Sequence, residues 1–508
     1  MAKKSGSKGR RAAAPESRAS KPKAPKSKGP QRDSEGPLGW LAPDLESAYT
    51  LLGRRGEPVP APVAKAKSRS TLSSGRTALH EVNRSIWRNL LMQYKSRKVE
   101  AARTRALAPA PMVPGGRNWL PLGPTLVLNG QTVGQEPVGG RVAGLAVAPG
   151  GQVLYAASAN GGVFKSDDGA TSWRSMMDGF DLDPTNFGSA SVVCGAIAID
   201  PADPDRVYVG TGEGDTDLMF RQNFRVVHAL PAYRGVGPLR SDDGGVKWIL
   251  EDSQPDLAGE SFFALAVEPG NRENVVAATT NGLYRRVPAT GGKFRWEQKR
   301  AGIYSSVVVA SGNGTTRFIA AEWGKGVLQS TDGGNTWSSI SSGFPSTGIG
   351  RIALAVQADN PSPAYALVAK SGGGLQGLFR LEATGGWKKV SSVPNILPGS
   401  QGDYDLSISI SPGDPETLYI AGDRINVFPF SAMIVRCRIQ ASGTAFKVKT
   451  ATSIGTHAHA DVHSLVHTPG DPTELWCTCD GGVYLNRNPK GTGQFVSRDP
   501  AVASTRSP

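Results

Sequence analysis

A short apolar segment that stops at a turn residue recurs from residue 140 onward, and this repeat limits the fold more than any other feature of the chain. It reads AVAP at 146–149, AIDP at 198–201, AVEP at 266–269, VVAS at 308–311, AVQA at 355–358, SISP at 409–412 and VHTP at 466–469. Each is followed by a second apolar segment, in turn VLYAAS, RVYVGT, NVVAAT, RFIAAE, AYALVA, TLYIAG and ELWCTC. A third usually opens on glycine, as in GGVFKS, NGLYRR, KGVLQS, QGLFRL and GGVYLN, and a fourth often carries tryptophan, at Trp173, Trp248, Trp296, Trp337 and Trp387. Runs this short, rich in β-branched residues and bounded by turn residues, read as strands. Four strands per unit at a period of about 40–60 residues is the sequence form of a β-propeller, whereas a helical solenoid needs 3.6-residue periodicity that these segments lack. The expected fold is all-β: a seven-bladed β-propeller with four-stranded blades over residues 118–508.

A propeller must also close. Blade seven offers Asp461–Pro469, Glu474–Cys479 and Gly482–Asn486, but no Trp-bearing fourth strand follows, only GQFVS at 493–497. The N-terminal stretch Asn118–Leu122, with Trp119, resembles a displaced fourth strand, and pairing it onto blade seven would hide two sheet edges. It is the favoured closing strand, with GQFVS as the competitor.

The positive charge lies elsewhere. Residues 1–117 hold 25 Lys+Arg and 8 Asp+Glu, a net of +17, and residues 118–508 hold 32 and 35, a net of −3. The first 35 residues contain no aromatic, Leu, Ile or Val, so they cannot offset their ordering entropy by burial. Residues 1–36 are expected to be a disordered basic tail. Residues 37–117 are a linker with two amphipathic helices, one near 44–52 after Asp44 and one over 78–102, where Leu79, Val82, Ile86, Leu90 and Tyr94 form a stripe. The tail reads as a solvated, solubilising arm, with nonspecific nucleic acid or an anionic surface as its alternative partner through salt-sensitive contacts. No run of about eighteen apolar residues and no apolar leader occurs, so a soluble monomer without a transmembrane segment, cytoplasmic or of unknown compartment, is expected. Four cysteines in 508 residues cannot make a disulfide scaffold, and stability must come from burial.

Three turns share one pattern: Ser166-Asp-Asp-Gly-Ala-Thr-Ser-Trp173, Ser241-Asp-Asp-Gly-Gly-Val-Lys-Trp248 and Ser330-Thr-Asp-Gly-Gly-Asn-Thr-Trp337. Asp168, Asp243 and Asp332 can accept bonds from N–H groups across the turn, while the tryptophan wedges against the next blade. These turns resemble the Asp-box, or BNR, repeat S-x-D-x-G-x-T-W. With GGRVAGLAV at 139–147, VYVGTGEGD at 207–215, GDYDLSISISPGDPETLYIAG at 402–422 and HADVHSL at 459–465, the chain resembles the bacterial Asp-box propellers related to the sortilin-type Vps10 domain. Such propellers are often sialidase-like or glycosyl-hydrolase-like. The resemblance implies the fold; Asp-box turns are structural and leave function open.

A sialidase site would need an arginine cluster, but the arginines that begin inner strands are only Arg141 and Arg351. A glycosidase needs two carboxylates, and Glu213, Asp403, Asp405, Asp461 and Asp480 fall near strand ends. Four histidines, His457, His459, His463 and His467, lie within eleven residues, with Cys477 and Cys479 on the next strand. His459, His463, Cys477 and Cys479 are chemically suited to zinc, yet their spacing fits no standard zinc module, so no metal and no cofactor is expected. The leading expectation is a non-catalytic scaffold that binds a protein, peptide or glycan through Arg141, Glu213, Tyr404, Asp405, Asp461 and His463. The alternative is a carbohydrate-active hydrolase with Glu213, Asp405 and Asp461 as catalytic candidates.

Overall fold

The computed structural model describes residues 127, 129–177, 193–215, 234–312 and 314–499. The expected tail, both amphipathic helices and Asn118–Leu122 lie outside these residues. The described chain is all-β and propeller-like, with helix nearly absent. Among the described residues no helix is long and apolar enough to cross a membrane. All four cysteines are buried and free.

Among the described residues the strands form four four-stranded sheets, one five-stranded sheet and one eight-stranded sheet. Each four-stranded sheet is an antiparallel meander whose strands pair in chain order. The eight-stranded sheet consists of two such meanders, Ile349–Ser391 and Ser407–Ser453, joined where Lys388–Ser391 runs parallel to Ala445–Ser453. The first strands of successive meanders pack side by side. Val142–Val147 lies against Cys194–Asp200, and contacts pass on through Phe262–Glu268, Tyr304–Gly312, Ile349–Gln357 and Ser407–Ser411 to Val462–His467, which packs against Val142–Val147. The ring of inner strands is closed.

Its core lies between meanders. The second strands read as continuous apolar runs because both of their faces are covered: Leu154–Ser158 buries its first four residues, and Asp203–Gly212 its last seven. One cluster joins Val142, Leu145 and Leu154 of the first sheet to Trp476, Val483 and Leu485 of the last, so the closing seam is as apolar as the others. The fourth-strand tryptophans dock on the preceding sheet rather than the next. Trp248 Nε1 donates to the Met176 carbonyl at 3.1 Å, Trp387 Nε1 to Ile340 at 2.8 Å, and Trp173 Nε1 to Arg498 of the last sheet at 2.8 Å.

The shared turns work as backbone locks. Asp168 Oδ1 accepts from the N–H groups of Thr171 and Ser172 at 3.0 and 2.9 Å, and Asp332 Oδ1 from Asn335 and Thr336 at 3.1 and 2.9 Å. Ser166, Ser241 and Ser330 each donate their hydroxyl to the turn aspartate, at 2.8, 2.9 and 2.7 Å. The hydroxyl and N–H of Ser172 bring the Asp168 carboxyl down to about 2. At Asp332 burial opposes, and the hydroxyl and N–H of Thr336 outweigh it with the same result. Where Lys247 replaces threonine, Asp243 keeps the backbone bond from Lys247 at 2.8 Å.

The fourth strand of the last sheet is Val496–Ser497, paired with Leu485 and Tyr484. The competitor GQFVS therefore supplies the fourth strand, and the preferred segment Asn118–Leu122 lies outside the described residues. A local hairpin from the neighbouring strand closes a far shorter loop than a segment more than 360 residues away. The N-terminal end of the described chain braces the seam instead. Gly139 N–H donates to the Gly481 carbonyl at 2.9 Å, and Glu136 accepts from Ser497 N–H at 3.1 Å.

Candidate functional site

In an antiparallel meander the start of the first strand and the end of the second lie at the same edge, as the pairs Ser407↔Ala421 and Val462↔Cys479 show. That edge forms one face of the ring. Arg141, Tyr404, Asp405 and Asp461 enter it just ahead of inner strands, while Glu213, Asp215, Asp423 and Asp480 reach it from the ends of second strands. Gly212 delivers Glu213 at φ +84°, and a side chain there would meet the Glu260 carbonyl at 2.5 Å, so only glycine fits.

Two arginines and a histidine organise the first half of the face. Arg141 donates to the Tyr404 hydroxyl at 2.9 Å and pairs with Glu213 at 3.3 Å. Tyr404 in turn donates to Asp480 at 2.8 Å. His463 lies between two carboxylates, with Nε2 2.9 Å from Asp480 and Nδ1 3.1 Å from Asp215. Arg351 pairs with Asp215 at 2.9 Å and donates to the Tyr404 carbonyl at 2.7 Å. Burial works against charge on His463, but the bonds to Asp215 and Asp480 outweigh it and raise the ring to about 9, so both nitrogens donate at neutral pH. Burial likewise works to raise Asp480, yet His463, Tyr404 and Arg141 hold it below the usual carboxylate range. Asp215, opposed by burial, is held down by Arg351 and His463.

The second half holds a carboxylate trio. Oxygens of Asp405, Asp423 and Asp461 lie within 4.8 Å of one another. The Gln401 amide reaches all three, at 3.4, 3.1 and 2.9 Å respectively. Asp423 is fixed by the Arg424 N–H at 2.7 Å and guanidinium at 3.0 Å, and by Gly399 N–H. Burial and the charges of Asp461 and Asp423 push Asp405 well above the usual range. Asp461 is also raised, by burial and by Asp480. By donor type and spacing these three carboxylates could hold a divalent cation; without one, a proton shared by Asp405 and Asp461 relieves the repulsion.

The six residues Arg141, Glu213, Tyr404, Asp405, Asp461 and His463 thus lie on one face, the first five as strand-end residues and His463 within its inner strand. Asp403 faces the Gly373 turn instead. The four suggested metal ligands take other roles. His463 is taken by carboxylates, His459 Nδ1 lies 3.1 Å from the Ala460 carbonyl, and Cys477 and Cys479 pack among Tyr419, Tyr484 and Phe495. Sequence reasoning missed Asp215, Asp423 and Gln401. A signal existed: three second strands end GEGD, AGD and CTCD, each placing an aspartate at the same edge.

No family model matches the chain. It is 27% identical over 218 residues to xyloglucanase Xgh74A of Acetivibrio thermocellus, covering 37% of this chain and 24% of that protein. It is 24% identical over 304 residues to a xyloglucanase of a Paenibacillus species, covering 53% and 28%. The chain therefore spans about a quarter of the length of these curated relatives. A solved structure described as an ancestral GH74 enzyme superposes with a TM-score of 0.50 at 17% identity, over 73% of this chain and 47% of that one, a likeness of fold. The sequence relatives overturn the expectation of a non-catalytic scaffold and the leaning against an enzyme. The matched proteins bear the names of carbohydrate-active enzymes, which agrees with the alternative, a carbohydrate-active hydrolase, better than with the scaffold.

Proposed function

We propose that the protein is a glycoside hydrolase whose working carboxylates are Asp461 and Asp480. One observation carries this reading: neighbouring carboxylates on one face have their protonation driven in opposite directions, Asp461 upward and Asp480 downward. Divergent environments of this kind assign acid and base roles. Reach to solvent selects the pair. The Asp480 side chain is 30% exposed, against 1% for Glu213, and Asp461 is half-buried while Asp405 is fully enclosed.

Asp461 draws on the proton it shares with Asp405 and donates it to the glycosidic oxygen as the bond to the anomeric carbon breaks. Asp480, kept ionised by His463 and Tyr404, either takes the proton of a water that attacks the anomeric carbon, or attacks that carbon itself to form a glycosyl ester that water then cleaves. Gln401 orients Asp461, and Tyr404, itself held by Arg141, orients Asp480 together with His463. The names of the sequence relatives make xyloglucan the first substrate class to test.

The same reading treats the eight-stranded sheet as two blades, which with the five smaller sheets makes seven, and the three aspartate turns as Asp-box turns of structural role. The cyclic succession of inner strands supports the count.

The test is hydrolysis of soluble xyloglucan by the full chain, with reducing ends measured and the product's anomeric form read by NMR. Asp461→Asn and Asp480→Asn should each lower kcat by about 10²–10⁴-fold while the fold is kept. Turnover by both variants at the wild-type rate would sink the assignment.

A further inference from the structure

Among the described residues Phe428 is the one aromatic ring in the exposed class, at 78%, and Val427 beside it is 69% exposed. Both sit at the tip of the hairpin between Asp414–Arg424 and Ala432–Ser442. That hairpin turns at the same face as the carboxylates, because Asp423, five residues before Phe428, is a member of the trio.

Backbone bonds close the tip. Ile425 N–H donates to the Ser431 carbonyl at 2.7 Å, and Phe430 N–H to Val427 at 2.9 Å. Phe428 and Phe430 meet edge to face, with centroids 5.9 Å apart and planes at 88°. Below them the Arg424 guanidinium lies 5.7 Å from the Phe430 ring while pairing with Asp423. Ser431 bridges to His459, two residues before Asp461, and Ala432 N–H donates to the Ala458 carbonyl at 2.9 Å. One continuous brace links the exposed ring to the site.

We propose that Phe428, supported by Phe430, is a sugar-stacking platform that holds a pyranose unit of the bound polysaccharide away from the cleavage point. The proposal rests on the hydrolase reading for its ligand. A pyranose ring presents an apolar C–H face between polar edges, and an exposed phenyl face fits it without needing a hydrogen-bond partner. A protein partner fits less well: one phenyl ring offers roughly 150–250 Å², while a stable protein interface takes about 800 Å² from each side. Because these bonds already hold the hairpin, less conformational freedom is lost when the sugar docks.

The experiment separates the platform from the chemistry. Binding of soluble xyloglucan is measured by calorimetry on full-length Asp480→Asn protein, with and without Phe428→Ala, and with Phe428→Tyr as the ring-keeping control. Phe428→Ala should weaken binding about tenfold, Phe428→Tyr should restore it, and thermal melting should be unchanged in all three. In the wild-type background Phe428→Ala should raise KM for the polymer and leave kcat in place. Equal affinity with and without the ring overturns the platform even if hydrolysis is confirmed. Ring-dependent binding without any turnover in the wild type keeps the platform and removes the hydrolase reading. A change in sedimentation on Phe428→Ala, with sugar binding unaltered, would give the ring to a second copy of the chain and also overturn it.

Discussion

His463 shows how single residues set the chemistry of this face. Its ring is fully enclosed, and its two nitrogens meet Asp215 and Asp480. Removing the imidazolium would leave the buried Asp215 and the partly exposed Asp480 short of a countercharge, and breaking a buried pairing costs about 3–5 kcal/mol, an upper bound here because Asp480 reaches solvent. His463→Gln should show that loss in urea unfolding at pH 6. The dependence on pH follows from the raised value. A histidine moved from the ordinary 6.5 to about 9 contributes its full stabilisation below about 6.5 and loses it as pH rises through about 9. The stability gap between wild type and His463→Gln should therefore narrow between pH 6.5 and 10. A gap that stays constant would mean that the ring is held neutral and serves only as a spacer.

At the scale of elements, Trp173, Trp248 and Trp387 each tie their sheet to the one before it. Trp387 is 3% exposed, packs among Ile319, Ala321 and Phe344, and spends its N–H on the Ile340 carbonyl. Trp387→Ala should lower stability by about 3–5 kcal/mol in chemical unfolding, and a loss below 1 kcal/mol would show that the seam does not depend on it. The strands themselves were legible in the sequence because apolar runs such as VYVG and YIAG, bounded by glycine and proline, have few other ways to be buried. The direction of tryptophan docking was not legible, since a residue's spacing says which face it occupies and nothing about which neighbour covers that face. The site was half legible for the same reason. Strand-end charges in quoted motifs, Arg141, Glu213 and Asp461, could be picked out, but Asp215 and Asp423 gain their meaning only from His463, on another inner strand, and Gln401, in the loop ahead of Ser407–Ser411. The short strand Val496–Ser497 carries no tryptophan, so the pattern that marked five other fourth strands passed it over.

For the whole molecule, the question is which end of the chain locks the ring. Among the described residues the bonds at the closing seam fall within 130–139, 173 and 481–499: Trp173 to Arg498, Gly139 to Gly481, Glu136 to Ser497, and Asp499 to the N–H groups of Gly139 and Val483 at 3.3 and 3.1 Å. Phe495, fully buried against Tyr484 and its neighbours, anchors the C-terminal side. Deleting residues 1–125 leaves every one of these contacts in place, so the truncated chain should melt at the temperature of the full chain and resist proteolysis over residues 127–499. Ending the chain at Gln494 removes Phe495, the strand Val496–Ser497, the Arg498 acceptor for Trp173 and the Asp499 clasp together. Truncation of a buried phenylalanine alone costs about 3–5 kcal/mol, a large part of the 5–15 kcal/mol that holds a typical domain folded. That variant should melt early and be cut first within the first and last sheets, whose shared seam is opened, while the sheets between them survive longest. The opposite outcome, a ring that tolerates loss of 495–508 but falls apart without residues 1–125, would return closure to Asn118–Leu122 and make Trp119 the residue that locks the molecule.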